Sequence, residues 1–495
     1  MDRRIVQAVA PTGREPADPA PKTIARTWPA VVTGIGLVLI ALVVYVTTNP
    51  QRYNLYNHFV WQASAFLDGQ AAIRYPVEDA HDGSPHNEYF NDVQPVLDAD
   101  GQPTDRALLP FPPLPAVVLL PFVALWGLAT DAQLIASILG AIDVGLCWWM
   151  LGRLPVSFRV RLAVTVFFGI GTVFWYTAEE GTTWFFAHVV AVGLSFAAVG
   201  IALGADDEAG TEAVALVSGS PLTSSRAALS HGIGTFVDWR QFLAGLLLGL
   251  AATSRLTVIL AAPFFVFVGG GGTWWRRALS AALGAAIPIA ALALYNLVSS
   301  GHLFNPVYDH LYRQEAEFYT FLNYHVDWAI EDPRYIPQNL FLMLINPPEP
   351  VPTSLQFGTP LCAAPNIVRG WFDPACPILI PSPTAMGLLL TSPAYLLGLP
   401  AIRFVRRSRL VRGAAFAVLL VGLVNLMHFS QGWVQFGYRF SLDFVPFALI
   451  LVALGISWLL RSRGRAWTAA VAGVLIAISI AVNAWGVWWG AALGW

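Results

Sequence analysis

"RALLPFPPLPAVVLLPFVALWG", residues 106–127, decides how the chain is threaded. From Ala107 to Trp126 it is apolar throughout, about the 20 residues a bilayer span needs. It also holds five prolines, at positions 110, 112, 113, 115 and 121. Each proline removes a backbone donor and clashes with the preceding turn, defects that lipid cannot repair. Whether this stretch crosses sets the direction of every segment after it.

The remainder of the chain leaves no doubt about class. Of its 495 residues 56% are hydrophobic and 12% charged, against roughly a quarter charged in soluble domains. The expected class is therefore an all-α polytopic membrane protein. Residues 1–27 are polar, proline-rich and basic, and read as a cytoplasmic tail before a retained anchor at Trp28–Thr47. Further apolar runs fall at 131–151, 162–176, 183–204, 241–268, 278–298, 386–405, 413–430, 441–460 and 466–490. Net charge is −2 with basic residues scattered among loops, so there is no nucleic-acid footprint.

Basic residues settle the parity. They gather in the tail and around Arg153, Arg159 and Arg161, around Arg226 and Arg240, at Arg276 and Arg277, from Arg403 to Arg412, and from Arg461 to Arg465. The positive-inside rule sends all of these to the cytoplasm. If 107–126 crossed, Arg153, Arg159 and Arg161 would face outward; if it lies in the outer interface, they land inside. The proline-rich stretch is therefore expected not to cross. The opposite correction applies to 241–268, where a single crossing would expose Arg276 and Arg277. Splitting it at "TSR" into 241–253 and 256–268 restores the count, gives eleven spans in all, and puts Arg255 at an outer tip.

On this threading residues 28–298 form a transmembrane module, with an outer loop at 48–130 carrying the juxtamembrane helices. A second outer loop covers 299–385, and residues 386–495 supply the last spans. The two outer loops hold Asp68, Asp92, Asp105, Asp309, Glu317, Asp327, Asp332 and Asp373. On the cytoplasmic side "ADDEAGTEAVALVSGSPLTSSRAALSHGIG" reads as a flexible linker. Any chemistry is thus expected on the outer face. Cys362 and Cys376, 14 residues apart in "CAAPNIVRGWFDPAC", would there form a disulfide worth about 3 kcal/mol.

Several machines can be set aside. "GGGGTWW" lacks the Lys-Ser/Thr of a phosphate-cradling loop, and there is no HExxH, no cysteine-based zinc spacing and no GxSxG. What remains is polar groups at expected span ends. "YNLYNHFVWQASAFLDGQ" places Leu55, Phe59, Ala63 and Phe66 at helical spacing, interrupted by Asn57, His58, Gln62 and Asp68, which reads either as an amphipathic surface helix or as one that brings Asn57 and His58 to a catalytic site. In "WYTAEEGTTWFFAH", Glu179 and Glu180 sit at a turn, with Trp184 and His188 one helical turn apart. Arg255 in "SRLT" and Arg439, next to Tyr438 in "QFGYRFSLDF", offer guanidinium forks suited to phosphate. The competing reading of Arg439 is a salt bridge to Asp443. Asp143, mid-span, has no evident partner.

In this order the motifs resemble the GT-C superfamily of integral-membrane glycosyltransferases, in the branch of protein O-mannosyltransferases and aminoarabinose transferases. The likeness runs through the helix after span one, "PFPPLP", "FWYTAEEGTTWFFAH", "GLLLGLAATSRLTVILAAPFF", "NLFLMLINPP" with "LLLTSPAYLLGL", and "GYRFSLDFVP". It implies a GT-C-like fold and transfer of a sugar from a polyprenyl-phosphate-linked donor to a glycan, lipid or protein acceptor. It also implies a bacterial plasma membrane, an outward-facing site, and membrane lipid as surroundings. A divalent metal, used by several relatives, stays open as a cofactor, but no ligand set is legible. Arg255, Arg439, Tyr438, His188 and Trp184 become the expected substrate-binding residues. Relatives usually carry an acid near the start of the first outer loop, where this chain has Asn57 and His58. Asp92, Glu180 and Asp68 are the replacements expected for the catalytic base. The rival readings are a transporter or flippase of a lipid-linked saccharide, or an inactive scaffold of the same fold.

Overall fold

The computed structural model describes residues 28–50, 55–78, 85–218, 236–318, 325, 327–351 and 369–495. The basic tail and Arg226 lie outside the described residues. The helices, in chain order, are α1 (Trp28–Thr48), α2 (His58–Leu67), α3 (Leu114–Trp126), α4 (Ala132–Leu151), α5 (Phe158–Gly171) and α6 (Phe174–Glu180). These are followed by α7 (Thr183–Gly204), α8 (Asp207–Ser218), α9 (Trp239–Ala252), α10 (Ala262–Phe267), α11 (Trp274–Ser300) and α12 (Val307–Phe318). The remainder are α13 (Ile336–Leu344), α14 (Leu388–Thr391), α15 (Leu399–Ile402), α16 (Arg409–Met427), α17 (Val445–Ser462) and α18 (Arg465–Leu493). The protein is an all-α polytopic integral membrane protein, with two small sheets among the described residues.

Burial sorts the helices into a centre and a rim. The apolar windows of α7 and of the segment containing α17 are 83% and 89% buried, whereas those of α1, α11 and α18 are 11%, 22% and 28% buried. The rim helices expose Val32, Ile35, Ile40, Val43, Leu294 and Val298, apolar side chains that only lipid can cover. α9 and α11 meet at backbone distance: a Cβ on Gly245 would stand 2.0 Å from the Ala281 carbonyl oxygen, and one on Gly284 2.0 Å from that of Phe242.

Among the described residues seven helices are long and apolar enough to cross a membrane, eight if α5 and α6 count as one span bent by 51°. The eleven expected spans therefore divide into long and short. α9 and the 256–267 segment are short, the latter starting as a 3-10 turn before α10. The expected span at 386–405 is broken into α14, a 3-10 turn at Pro393–Gly398, and α15, because Pro393 and Pro400 interrupt the backbone ladder. The expected span at 162–176 breaks at Thr172 and Val173.

The stretch that opened the question forms α3. Pro113 caps it, Pro115 sits in its first turn and Pro121 in its interior. Its 13 residues reach about 20 Å, short of a hydrocarbon core of about 30 Å. α3 packs Ala116, Leu119 and Val123 against Phe59, Val60 and Ala63 of α2. The Leu114 amide donates to the Thr253 carbonyl (3.2 Å), tying α3 to the tip of the α9–α10 hairpin.

Two sequence expectations are corrected. α2 is not a surface helix: His58, Trp61 and Gln62 are as buried as Phe59, Val60 and Ala63, because α3 covers one face and a sheet another. That sheet runs β1 (Ile73–Arg74), β3 (Pro103–Leu108), β2 (Gln94–Leu97), antiparallel throughout, with a bulge between Pro95 and Leu97. Its residues Ile73 and Ala107 pack with Phe90, Val93 and Trp61. The expected flexible linker also contains α8, whose Ala209, Ala213 and Leu216 form a buried stripe. Arg409 holds this helix through Asp206 (2.7 Å), Glu208 (3.0 Å) and Glu212 (3.1 Å).

Candidate active site

The stretch before α2, the β-sheet segment, the α6–α7 turn, the α9–α10 tip, α12 and the stretch before α17 converge on one cavity of about 880 Å³. Asp92, Glu180, Arg255, Arg439 and Trp184 all line it. Glu180 gets there because Gly181 ends α6 in a left-handed turn (φ 53°); there a Cβ would stand 2.6 Å from that of Ala136. Glu179, one residue back, is buried away from the cavity lining.

The most constrained group is a histidine–aspartate pair. His58 Nε2 lies 2.6 Å from Asp92 Oδ1. The imidazole stacks on Phe90, ring centroids 3.7 Å apart and 9° from parallel. On its far side Nδ1 lies 2.8 Å from the Thr183 hydroxyl. That hydroxyl donates to the Tyr56 carbonyl (2.8 Å) and accepts from the His58 backbone N–H (3.1 Å). Its single proton being engaged, Nδ1–H is the donor across the 2.8 Å contact, which fixes the ring's orientation. The other ring nitrogen, Nε2, faces Asp92 across the 2.6 Å contact. Asp92 Oδ2 has no hydrogen-bond partner among the described residues. Asn57, the residue before α2, is buried, and its side chain makes no capping bond.

A second network surrounds Asp443, which is fully covered. Its oxygens accept from Arg255 Nε (3.2 Å) and Nη2 (3.1 Å) and from the Thr257 hydroxyl (2.6 Å). His188 Nδ1 approaches Oδ1 at 3.1 Å. Asp443 is thus the anchor of Arg255 rather than the simple i+4 partner that its spacing from Arg439 suggested. The reason is geometric, since 439–444 is a 3-10 helix, in which i and i+4 no longer share a face. Arg439 Nη1 donates instead to Gln435 Oε1. The two guanidinium groups flank one ring, with Arg255 5.0 Å and Arg439 5.3 Å from the centroid of Phe440.

Of the other expected residues, His188 is completely buried behind Arg255, and Tyr438 is buried without reaching the cavity lining. Asp68 caps the C-terminal end of α2, is exposed, and stands outside the cavity. Cys376 is disulfide-bonded and Cys147 is a buried free thiol; Cys362 lies outside the described residues. Asp143 is buried between helices against Gly193, and its Oδ2 has no hydrogen-bond partner.

Sequence reasoning missed the contribution of α12. Glu315 lines the cavity with Tyr308, Leu311 and Gln314. Burial, reinforced by the nearby Asp92 carboxylate, pushes the Glu315 carboxyl up to about 7; Arg439 and the Ser430 hydroxyl act the other way. Tyr308, Leu311 and Glu315 follow at i, i+3 and i+7, a stripe that could have flagged α12 as facing something. Among the described residues no group of three His, Cys, Asp or Glu side chains is arranged to hold a metal ion.

No family model matches the chain, and no curated protein matches it. Solved structures are similar to it in part. The oligosaccharyltransferase of Archaeoglobus fulgidus in its apo form shares 12% identity over 94% of this chain and 56% of its own, with a TM-score of 0.48. ArnT from Cupriavidus metallidurans, bound to undecaprenyl phosphate, shares 14% over 95% and 76%, with a TM-score of 0.41. The archaeal oligosaccharyltransferase AglB, in complex with an inhibitory peptide and a dolichol-phosphate, shares 13% over 94% and 56%, with a TM-score of 0.44. The chain thus spans little more than half the length of the archaeal enzymes.

Proposed function

We propose that the chain is a membrane glycosyltransferase that moves a sugar from a polyprenyl-phosphate-linked donor to an acceptor hydroxyl at the outer face of the membrane. The observation that carries this reading is a histidine-oriented carboxylate and two guanidinium groups lining one cavity of an integral membrane protein. The resemblance of the motif order to GT-C enzymes supports it from a separate direction.

Asp92 acts as the base. Its Oδ2 takes the proton of the acceptor hydroxyl while His58 holds Oδ1 in register. The acceptor oxygen bonds to the anomeric carbon from the face opposite the phosphate. The carbon–oxygen bond to phosphate breaks, its electron pair leaves with the phosphate, and the configuration inverts. Arg439 and Arg255 meet the charge that develops there, Arg255 held by Asp443 so that little reorganisation is needed. Glu180 and Glu315 are the other acids of the lining.

The test is release of polyprenyl phosphate by purified protein in detergent, offered a panel of radiolabelled polyprenyl-phosphate sugars with and without membrane extract as acceptor. Release that needs extract and disappears in Asp92→Asn is expected. Tight donor binding without release in the native protein would transfer the assignment to a lipid-linked saccharide carrier.

A further inference from the structure

Three of the four tyrosines that line the cavity holding Asp92 come from the first loop. Tyr56 precedes α2, Tyr75 follows β1, and Tyr89 lies three residues before Asp92, so separate stretches deliver three rings to one lining. They are not packed away as core: Tyr89 is 49% exposed and Tyr56 38%. Tyr56 is propped by Trp184, centroids 5.2 Å apart. Burial and the Asp92 carboxylate together raise the phenols of Tyr56 and Tyr75, which puts both hydroxyls within electrostatic reach of that carboxylate. Asn91, Asp92, Gln314 and Glu315 line the same cavity.

Flat, partly exposed rings beside two amides and two carboxyls suit one kind of molecule. A sugar ring has an apolar C–H face that lies on an aromatic ring, and a rim of hydroxyls that each donate and accept. A lipid acceptor would need a continuous apolar wall. A peptide would look for unpaired backbone groups to pair with. On this wall the rings of Tyr56, Tyr75 and Tyr89 beside Asn91, Asp92, Gln314 and Glu315 favour the sugar over either.

We propose that this tyrosine wall is the acceptor subsite and that the acceptor is a glycan, stacked on Tyr89 and Tyr56 with one hydroxyl presented to Asp92. The proposal rests on the glycosyltransferase reading above.

The experiment offers the purified protein labelled polyprenyl-phosphate sugars together with three acceptors: oligosaccharides released from membrane extract, hydroxyl-bearing peptides, and phospholipid vesicles. Donor loss and labelled product are followed separately. Label should pass to the oligosaccharides. Tyr89→Ala should raise the acceptor KM by about tenfold, the worth of one ring contact, and leave the donor KM unchanged. Tyr89→Phe, which keeps the ring, should recover most of the acceptor affinity lost in Tyr89→Ala. Label on peptide or lipid, or an acceptor KM unmoved in Tyr89→Ala, would overturn the glycan assignment while leaving a transferase standing. No donor loss with any acceptor would overturn both.

Discussion

His58 Nε2 and Asp92 Oδ1 stand 2.6 Å apart, joining two residues 34 positions apart in the chain. The start of the first loop, where an acid is expected, holds Asn57 and His58, and the structure brings the Asp92 carboxylate to that place from the segment before β2. The histidine therefore does not replace the acid; it holds one.

If Asp92 is the base, Asp92→Asn should lower transfer by about 10²–10⁴-fold, the usual worth of a positioned proton acceptor. His58→Gln should lose less, because the carboxylate remains and only its orientation loosens. Donor turnover measured beside size-exclusion behaviour separates chemistry from folding. A native rate in Asp92→Asn, with Glu180→Gln inactive, would move the role to Glu180.

Removing one partner from the Arg255–Asp443 pair should be more damaging than removing both. Arg255→Ala leaves the fully covered Asp443 carboxylate without its counter-charge, a defect of about 3–5 kcal/mol. Arg255→Met combined with Asp443→Leu should recover much of that loss in thermal unfolding, though not the activity. Additive losses would show that the two side chains are energetically independent.

Glu315 makes stability and activity depend on pH near neutrality. Its carboxyl is raised from the usual 4.5 to about 7, so the unfolded chain releases this proton at lower pH than the folded protein does. Stability should therefore fall as pH rises from about 4.5 to about 7 and level off above, and Glu315→Gln should flatten that slope. In turnover the same substitution should remove an inflection near pH 7. An unchanged pH profile would remove Glu315 from the cavity's electrostatics.

Native, unreduced protein unfolded in denaturant should expose one titratable thiol, that of Cys147. Three thiols would mean that no bridge forms at Cys376. Reduction should lower stability by about 3 kcal/mol if the closed loop is the 14-residue one to Cys362.

Arg409→Ala should free α8. Three carboxylates, Asp206, Glu208 and Glu212, converge on this one guanidinium, so its loss leaves like charges facing one another at the foot of α16. Faster limited proteolysis within 207–218 is the expected sign, and an unchanged cleavage pattern would show that the alanine stripe alone holds the helix.

What the sequence determined by itself is what depends on composition and on local backbone rules. Apolar length and low charge gave the membrane class, and the prolines of 106–127 set α3 apart from the spans, because the missing donors act within one helical turn. The break at "TSR" could be placed because opposite parity was needed on its two sides. The motif order also pointed to Asp92, Glu180, Arg255 and Arg439, which line one cavity. Only the tertiary structure decided which of these groups touch. Asp443 lies four residues after Arg439 yet holds Arg255, since the turn of helix between them is 3-10 and the partner comes from another hairpin. Glu315 and Tyr89 were unreadable for the same reason: a side chain's charge state and neighbours are set by what other segments bury it, and no local pattern records that. The pairing of His58 with Asp92 likewise exists only once α2 is covered by the sheet, where the cost of leaving a buried polar group unpaired forces the two together.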